Sequence, residues 1–334
     1  MERITIIGLG LIGGSIGLAL KAANVGDIEI VGVARTRQTV QQAKRIGAID
    51  LDGITPAESV QNARLVIIAS PIITIRGIMQ EIAPALREGA IVTDAASTKG
   101  RVMRWAQELL PESVHFVGGH PMAGKETIGI AGAEADLFRD KPWVICPSVS
   151  APEHAVGTVV ALAQTLGSTP VFMDAEEHDS YVAAISHLPL VTSSALFSVA
   201  FGSAAWPELA QLASSGFRDT TRLASGSPEM AHDIMTTNRD NVLHWIDRMQ
   251  EELSAYRKAI EAGDSRVLLE RFARPQHERD NFVASGPPKR ATDSGETPTF
   301  SITDFLFGSK MGDMMRKQEE ILRNAEKRAD GGKT

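Results

Sequence analysis

Ile4-Thr5-Ile6-Ile7, followed at once by Gly8-Leu9-Gly10-Leu11-Ile12-Gly13-Gly14-Ser15-Ile16-Gly17, decides the fold. A short apolar strand runs into a glycine-rich turn, and a helical pattern (Ile16, Leu18, Ala19, Leu20) follows. In that context Gly-x-Gly-x-x-Gly reads as a dinucleotide-binding turn rather than a chance spacing. Gly8 permits the tight turn, Gly10 lets a pyrophosphate approach the backbone, and Gly13 lets the helix pack on the strand. The free N–H groups at the helix start, with Leu11 and Ile12 among them, then face the phosphates.

The second strand, Ile28-Glu29-Ile30-Val31-Gly32-Val33, ends in Ala34-Arg35-Thr36-Arg37. An NAD site usually carries Asp or Glu here for the ribose 2′-hydroxyl, whereas an arginine accommodates a 2′-phosphate. Ala34 offers no carboxylate, and Arg35 and Arg37 offer two guanidinium groups able to pair a phosphate. The alternative is that both arginines are solvated loop residues. The expected cofactor is NADP, with NAD as second choice.

Working outward, apolar runs alternate with helical patterns. Leu65–Ala69 ends at Ser70-Pro71, Ala90–Thr93 ends at Asp94, and Phe116-Val117, Trp143–Ile145 and Val171–Met173 follow. Thr36 caps a helix that Gly47 stops, and another helix spans 152–166. Alternating βα units predict a mostly parallel open sheet with helices on both faces and ligands at the strands' carboxyl ends. Ser70 and Pro71 therefore join the expected cofactor contacts. From Asp174 to about Phe282 no strand is expected. One long helix, kinked at Pro189, covers 176–201, and further helices cover 207–213, 228–235, 238–262 and 265–282. The expected organisation is a Rossmann-type dinucleotide-binding domain over 1–173 and an all-helical dimerisation domain over 174–284. Residues 285–334 then form a linker with an apolar cluster at Phe300–Phe307, read as a segment docking on its own domain or as a partner-binding peptide.

With 334 residues, 43% hydrophobic and 22% charged, the chain has the composition of a soluble globular protein. A net charge of -7 gives no reason to expect nucleic acid or an anionic membrane as partner. Its one cysteine, Cys146, excludes an internal disulfide and a cysteine-built metal site, and no histidine–carboxylate metal motif occurs. No apolar stretch reads as long enough to span a bilayer. The start of the chain almost on its first strand leaves no room for a leader, so a cytoplasmic protein is expected.

Two loops at strand ends carry candidate chemistry. Gly118-Gly119-His120-Pro121-Met122-Ala123-Gly124 puts a histidine, the usual general base, where a nicotinamide ring should lie. Asp94-Ala95-Ala96-Ser97-Thr98-Lys99-Gly100 offers Ser97 to bond substrate or histidine. Ser214–Arg222, between helices, holds two arginines suited to a carboxylate, or to ordinary surface ion pairs. Glu176-Glu177-His178-Asp179 and Ser186-His187-Leu188-Pro189 can reach a cleft or merely cap and cross-link helices.

Together the stretches GLGLIGGSIGLAL, GGHPMAGKE, EEHDSYVAAISHLP and SSGFRDTTRLA resemble the prephenate/arogenate dehydrogenase family of tyrosine biosynthesis, colinearly over about residues 1–283. The resemblance implies His120 as catalytic histidine, Ser97 as active-site serine and Arg222 as the arginine for a substrate carboxylate. It also implies polar roles near the active site for Asp219, Glu126 and His187, a homodimer through the helical domain, and no metal. The implied reaction is oxidative decarboxylation of prephenate to 4-hydroxyphenylpyruvate, or of arogenate to tyrosine. A base takes the ring hydroxyl proton, hydride leaves the same carbon for the nicotinamide, and the para carboxylate departs as carbon dioxide while the ring becomes aromatic. Many prephenate-using members carry a second histidine after Ser-His-Leu-Pro. This chain has Leu190, and arogenate-using relatives are apolar there and share a Val-x-Arg like Val33-Ala34-Arg35. The alternatives are an NADP-dependent β-hydroxyacid dehydrogenase, which would rely on a helical-domain lysine, and a non-catalytic NADP-sensing protein.

Overall fold

The structure is a computed structural model that describes residues 2–125 and 127–286. Of the linker and apolar tail expected over 285–334, residues 287–334 lie outside the described residues, as does Glu126.

The first half of the chain builds β1 (Glu2–Ile7), α1 (Leu11–Ala22), β2 (Ile28–Val33), α2 (Arg37–Arg45), β3 (Leu51–Asp52), α3 (Pro56–Val60), β4 (Ala63–Ile68), α4 (Ile72–Ile82), β5 (Ile91–Asp94) and α5 (Gly100–Leu109). Then come β6 (His115–Pro121), β7 (Pro142–Pro147), α6 (Glu153–Thr165) and β8 (Thr169–Phe172). The eight strands form one sheet in the order β3-β2-β1-β4-β5-β6-β7-β8. Every neighbouring pair is parallel except β6 and β7, which run antiparallel with His120 opposite Val144. The order reverses at β1, so the carboxyl ends of β1 and β4 flank the crevice where such sheets bind ligands.

Burial follows the pattern expected of a sheet covered on both faces. Ile4, Ile6, Leu65, Ile67 and Ile145 pack on one side with α1 and α6. Ile7, Val66, Ile68, Val92 and Phe116 pack on the other with α4 and α5. β3, at the sheet edge, went unseen in the sequence because two residues carry no periodicity. Thr36 caps α2, its hydroxyl accepting from Thr39 N at 3.2 Å, and Gly47 follows the helix at φ +78° as the stop the sequence suggests. Cys146 is buried on β7, and burial pushes its thiol up to about 12, which makes it inert as a nucleophile.

After β8 the described chain is helical: α7 (Ala175–Val182), α8 (Leu188–Phe201), α9 (Trp206–Leu212), α10 (Ser215–Thr221), α11 (Pro228–Thr237), α12 (Arg239–Ala262) and α13 (Ser265–Ser285). Two features of this stretch refine the expectations. The long helix over 175–201 is interrupted just ahead of Pro189, by a π-helical turn at Ala183–His187. Proline at 189 has no N–H for the residue four before it, and its ring crowds that carbonyl. The wider i→i+5 turn just ahead shifts the register and absorbs both problems. Secondly, this run of 27 residues contains an 18-residue window of mean hydropathy 1.6 and is long and apolar enough to cross a membrane by length and composition. Its first half is nevertheless committed to the protein: His178, Asp179, Val182 and Ala183 are buried.

The described chain divides into two compact units, one up to Arg239 and one from Asp240 onward. The first contains the sheet and α1 to α11. The second is a hairpin of α12 and α13 turned at Gly263 (φ +61°), where Tyr256 Oη donates to Arg271 O at 2.9 Å and the Arg271 guanidinium lies over the Tyr256 ring.

Candidate active site

The nucleotide turn has the shape its glycines predict. Gly8 sits at φ +101°, and a Cβ there would lie 2.4 Å from Ala69 O. A Cβ on Gly13 would meet Gly8 O at 1.8 Å, so α1 could not approach the strand with any side chain there. Gly10 faces open space, and no side chain caps α1. The N–H groups of the first turn, at Leu11, Ile12 and Gly13, therefore remain for a ligand. Ser70 Oγ donates to Ile7 O at 3.1 Å, which brings the end of β4 beside Gly8, and Pro71 starts α4. Open space over Gly10 and an uncapped helix start fit a dinucleotide pyrophosphate. At the end of β2, Ala34 packs on the core, while Arg35 and Arg37 are exposed and neither has a carboxylate partner among the described residues.

The expected His120 loop is instead strand. Gly118, Gly119 and His120 all belong to β6. The two glycines serve close packing rather than loop freedom. A Cβ on Gly119 would lie 2.6 Å from Asp94 O, and one on Gly118 would lie 2.8 Å from Met103 Sδ. Without side chains there, β6 sits tightly between its neighbours and delivers His120 to the carboxyl end of β5.

Around His120 lies a buried polar cluster that joins four segments distant in sequence. His120 Nδ1 and His178 Nε2 are 2.8 Å apart, and His178 Nδ1 lies 2.8 Å from Asp179 Oδ1. Asp179 also accepts from Lys99 N at 2.7 Å and from Gly100 N at 2.9 Å, which ties the Ser97 loop to α7. Asn238 Nδ2 donates to Asp179 O at 2.7 Å and lies 3.2 Å from His187 Nδ1. Lys99 is fully buried. Its Nζ pairs with Asp94 and donates to Gly119 O at 2.6 Å. Asp94 accepts in addition from Gly119 N at 3.1 Å and Ala96 N at 3.0 Å. Burial holds the His120 imidazole well below its usual value, with His178, Lys99 and His187 adding in the same direction. His187 is pushed down to about 4, again by burial first. Both rings are thus neutral at neutral pH, the state in which a histidine can take a proton.

Of the residues singled out in the sequence, His120 and His187 belong to this cluster, and Ser97 lies half-buried on the loop that Asp179 holds. Arg222 and Asp219 belong to a different part of the same unit. The stretch expected to be a loop there is mostly helix: α10 contains Asp219, and Arg222 opens a short 3-10 turn after it. Ser193 Oγ on α8 donates to Thr220 O at 2.7 Å and docks α10. Arg222, Arg218, Thr221, Ala224, Ser225 and Phe197 line a cavity of about 280 Å³. The sequence reading missed His178, Asp179 and Lys99 as members of the cluster. Their motifs were visible, but their partners lie about eighty or fewer residues away and only the fold brings them together. No group of three or more metal-ligating side chains occurs among the described residues.

Residues 16–171 match a family model described as prephenate dehydrogenase, nucleotide-binding domain, and residues 174–274 match one described as prephenate dehydrogenase, dimerization domain. A curated prephenate dehydrogenase of Bacillus subtilis is 34% identical over 283 residues, covering 84% of this chain and 76% of that protein. Among solved structures, an arogenate dehydrogenase from Synechocystis aligns with TM-score 0.72 at 30% identity, covering 84% of this chain and all of that one. A prephenate dehydrogenase from Aquifex aeolicus, solved with hydroxyphenyl propionate and NAD+, aligns with TM-score 0.79 at 27% identity, covering 84% and 98%.

Proposed function

The chain belongs to the prephenate dehydrogenase family and is a dehydrogenase of that kind, and from this membership we propose that it oxidatively decarboxylates arogenate, prephenate or both, using NADP in preference to NAD. The observation that carries the reading is His120: a neutral, buried imidazole at the carboxyl end of β6, held by a second histidine. Its role is to take the ring hydroxyl proton. The bound nicotinamide supplies the hydride acceptor. Ser97, on the loop fixed by Asp179, orients the hydroxyl, and His187 is a polar contact for the substrate. Arg222 holds a substrate carboxylate, Asp219 on the preceding α10 is a polar residue near the active-site entrance, and Glu126 completes the polar set. Gly8, Gly10, Leu11, Ile12 and Gly13 hold the pyrophosphate, and Ser70 and Pro71 border the same crevice. Leu190 supports arogenate. The exposed Val199 and Phe201 of α8 support a homodimer through the helical region, as does the description of the matched domain. We propose the domain division 1–173 and 174–284 and a cytoplasmic location.

The deciding assay incubates the purified protein with prephenate or arogenate, each with NAD or NADP, and follows both reduced nicotinamide and aromatic product. If no pairing reduces a cofactor, the proposed reaction fails.

Arg222→Ala should chiefly raise KM for the substrate. A charged hydrogen bond is worth roughly 1.5–3 kcal/mol, so the rise is about tenfold to a hundredfold. An unchanged KM would return Arg222 to a surface role.

Ala34→Asp should reverse the cofactor preference, by repelling a 2′-phosphate and offering the 2′-hydroxyl an acceptor. Because Arg35 and Arg37 are exposed, the wild-type preference for NADP should be about tenfold to a hundredfold. Measuring kcat/KM for both cofactors in both proteins decides it. A wild type that favours NAD would show that these arginines do not serve the phosphate.

A further inference from the structure

We propose that His178 is a positioning residue that, with Asp179, fixes His120 in the tautomer carrying its proton on Nδ1, leaving Nε2 as the base. The proposal rests on the reading of His120 as the general base and deepens it.

The hydrogen bonds lead outward from the Asp179 carboxylate. An ionised carboxylate can only accept. Asp179 Oδ1, 2.8 Å from His178 Nδ1, therefore requires the His178 proton to be on Nδ1. In the proposed relay His178 carries that one ring proton, and its Nε2 presents a lone pair. That atom lies 2.8 Å from His120 Nδ1, which must be the donor, so the lone pair of neutral His120 falls on Nε2. Asp179 is itself held in place, because it accepts the backbone N–H groups of Lys99 and Gly100 and lies 3% exposed. His178 is 1% exposed, so bulk solvent does not compete for its ring nitrogens. The chain His120–His178–Asp179 thus does for this base what a buried carboxylate does for the histidine of a hydrolytic triad, with one imidazole interposed.

The same chain acts during the reaction. When His120 Nε2 gains a proton, the Nδ1–H bond to His178 and the His178 bond to Asp179 both strengthen, so the new positive charge is drawn toward the carboxylate. His178 and His187, with Lys99, oppose a charge on His120. Repulsion between the two rings requires both to be charged, whereas the relay shares a single proton's charge along the line. The groups facing the pair are Lys99 and Asp94 from the β5 end, Asp179 from α7 and His187 from the π-helical turn. Lys99 is engaged by Asp94 and Gly119 O, which leaves Asp179 as the carboxylate bonded to the relay. The relay itself only moves a proton between O–H and N–H: loss of carbon dioxide turns the ring carbonyl into a phenolate, and His120 Nε2 returns its proton to that oxygen, while a bound nicotinamide would take the hydride.

The test has two arms. NMR of the full-length protein carrying ring-nitrogen-labelled histidine, above neutral pH, reports tautomers directly, with the His120→Asn and His178→Leu variants assigning the signals. Both His120 and His178 should be protonated on Nδ1. A His120 protonated on Nε2 overturns the proposal whether or not the protein is active. The kinetic arm compares His178→Gln, whose amide oxygen can still accept from His120 Nδ1, with His178→Leu, which cannot. Gln should keep kcat within about tenfold, and Leu should lose about a hundredfold, at the lower end for a mispositioned base, with KM for cofactor nearly unchanged in both. Equal losses in the two variants, or none in either, overturn the relay. A wild type inactive on both substrates refutes the proposed reaction and leaves the tautomer result standing.

Discussion

His120→Asn is expected to lower kcat by about 10²-fold or more, the range for a lost general base, while binding of the nicotinamide cofactor stays close to that of the wild type. Asparagine is smaller than histidine and polar, so it can still donate to His178 Nε2 from the same buried position, but it has no lone pair able to take the hydroxyl proton. Steady-state rates and a fluorescence titration with reduced cofactor separate the two effects. A variant with near-normal kcat at neutral pH would remove His120 from the mechanism. The pH profile supplies an independent check. The base works when unprotonated, and burial lowers its proton affinity below the ordinary value of 6.5. Activity should therefore hold from neutral pH down past 6.5, falling only as pH drops through the lowered value. An acid limb centred at or above 6.5 in kcat/KM would mean that the working base is not the ring in this environment.

How far the sequence carried this reading depends on the range of the interactions involved. The β1–turn–α1 unit was legible because strand, turn and helix are contiguous and the closest approach at Gly13 is to Gly8 within the unit, whereas that at Gly8, to Ala69 after β4, comes only with the fold. His120 stood out because nothing in Gly-Gly-His-Pro serves an apolar pattern. The same glycines misled on its local structure, since their small size permits tight strand packing as readily as a loop. His178 and Asp179 were visible as an acidic–histidine cluster at a helix start, with capping or cleft-facing as open alternatives. Asp174 performs the capping, accepting from Glu176 N at 2.8 Å, which frees Asp179 for the site. Pro189 was read by the rule that proline kinks helices, and the π-helical turn at 183–187 is a second way of meeting the same steric demand. Arg222 and His120 were both named, but their placement, on the 3-10 turn after α10 and on β6, follows from packing that no spacing records.

Lys99 is the residue whose environment the sequence least disclosed, and it carries the second large expectation. Lysine is almost never fully buried unless paired, and a Ser-Thr-Lys-Gly loop reads as solvated. Here Lys99 has no exposed surface, and neither does Asp94, its ion-pair partner. Lys99→Met keeps much of the side-chain volume and removes the charge. Asp94 would retain its bonds from Gly119 N and Ala96 N but would remain a buried carboxylate with no cation. Breaking a buried pair in this way costs about 3–5 kcal/mol. Lys99 Nζ also holds Gly119 O, the carbonyl that precedes His120, so the same change should loosen the base and lower kcat. Urea unfolding of the wild type and variant measures the first effect as a lower midpoint at unchanged slope. A loss below about 1 kcal/mol would mean that Asp94 takes up a proton or reaches water. The variant Lys99→Met with Asp94→Asn distinguishes these. If the cost is the uncompensated charge, neutralising Asp94 should recover a substantial part of the stability. The loss of kcat should persist, because the tether to Gly119 O is still missing. Recovery of both together would show that the pair acts on His120 through its charge alone.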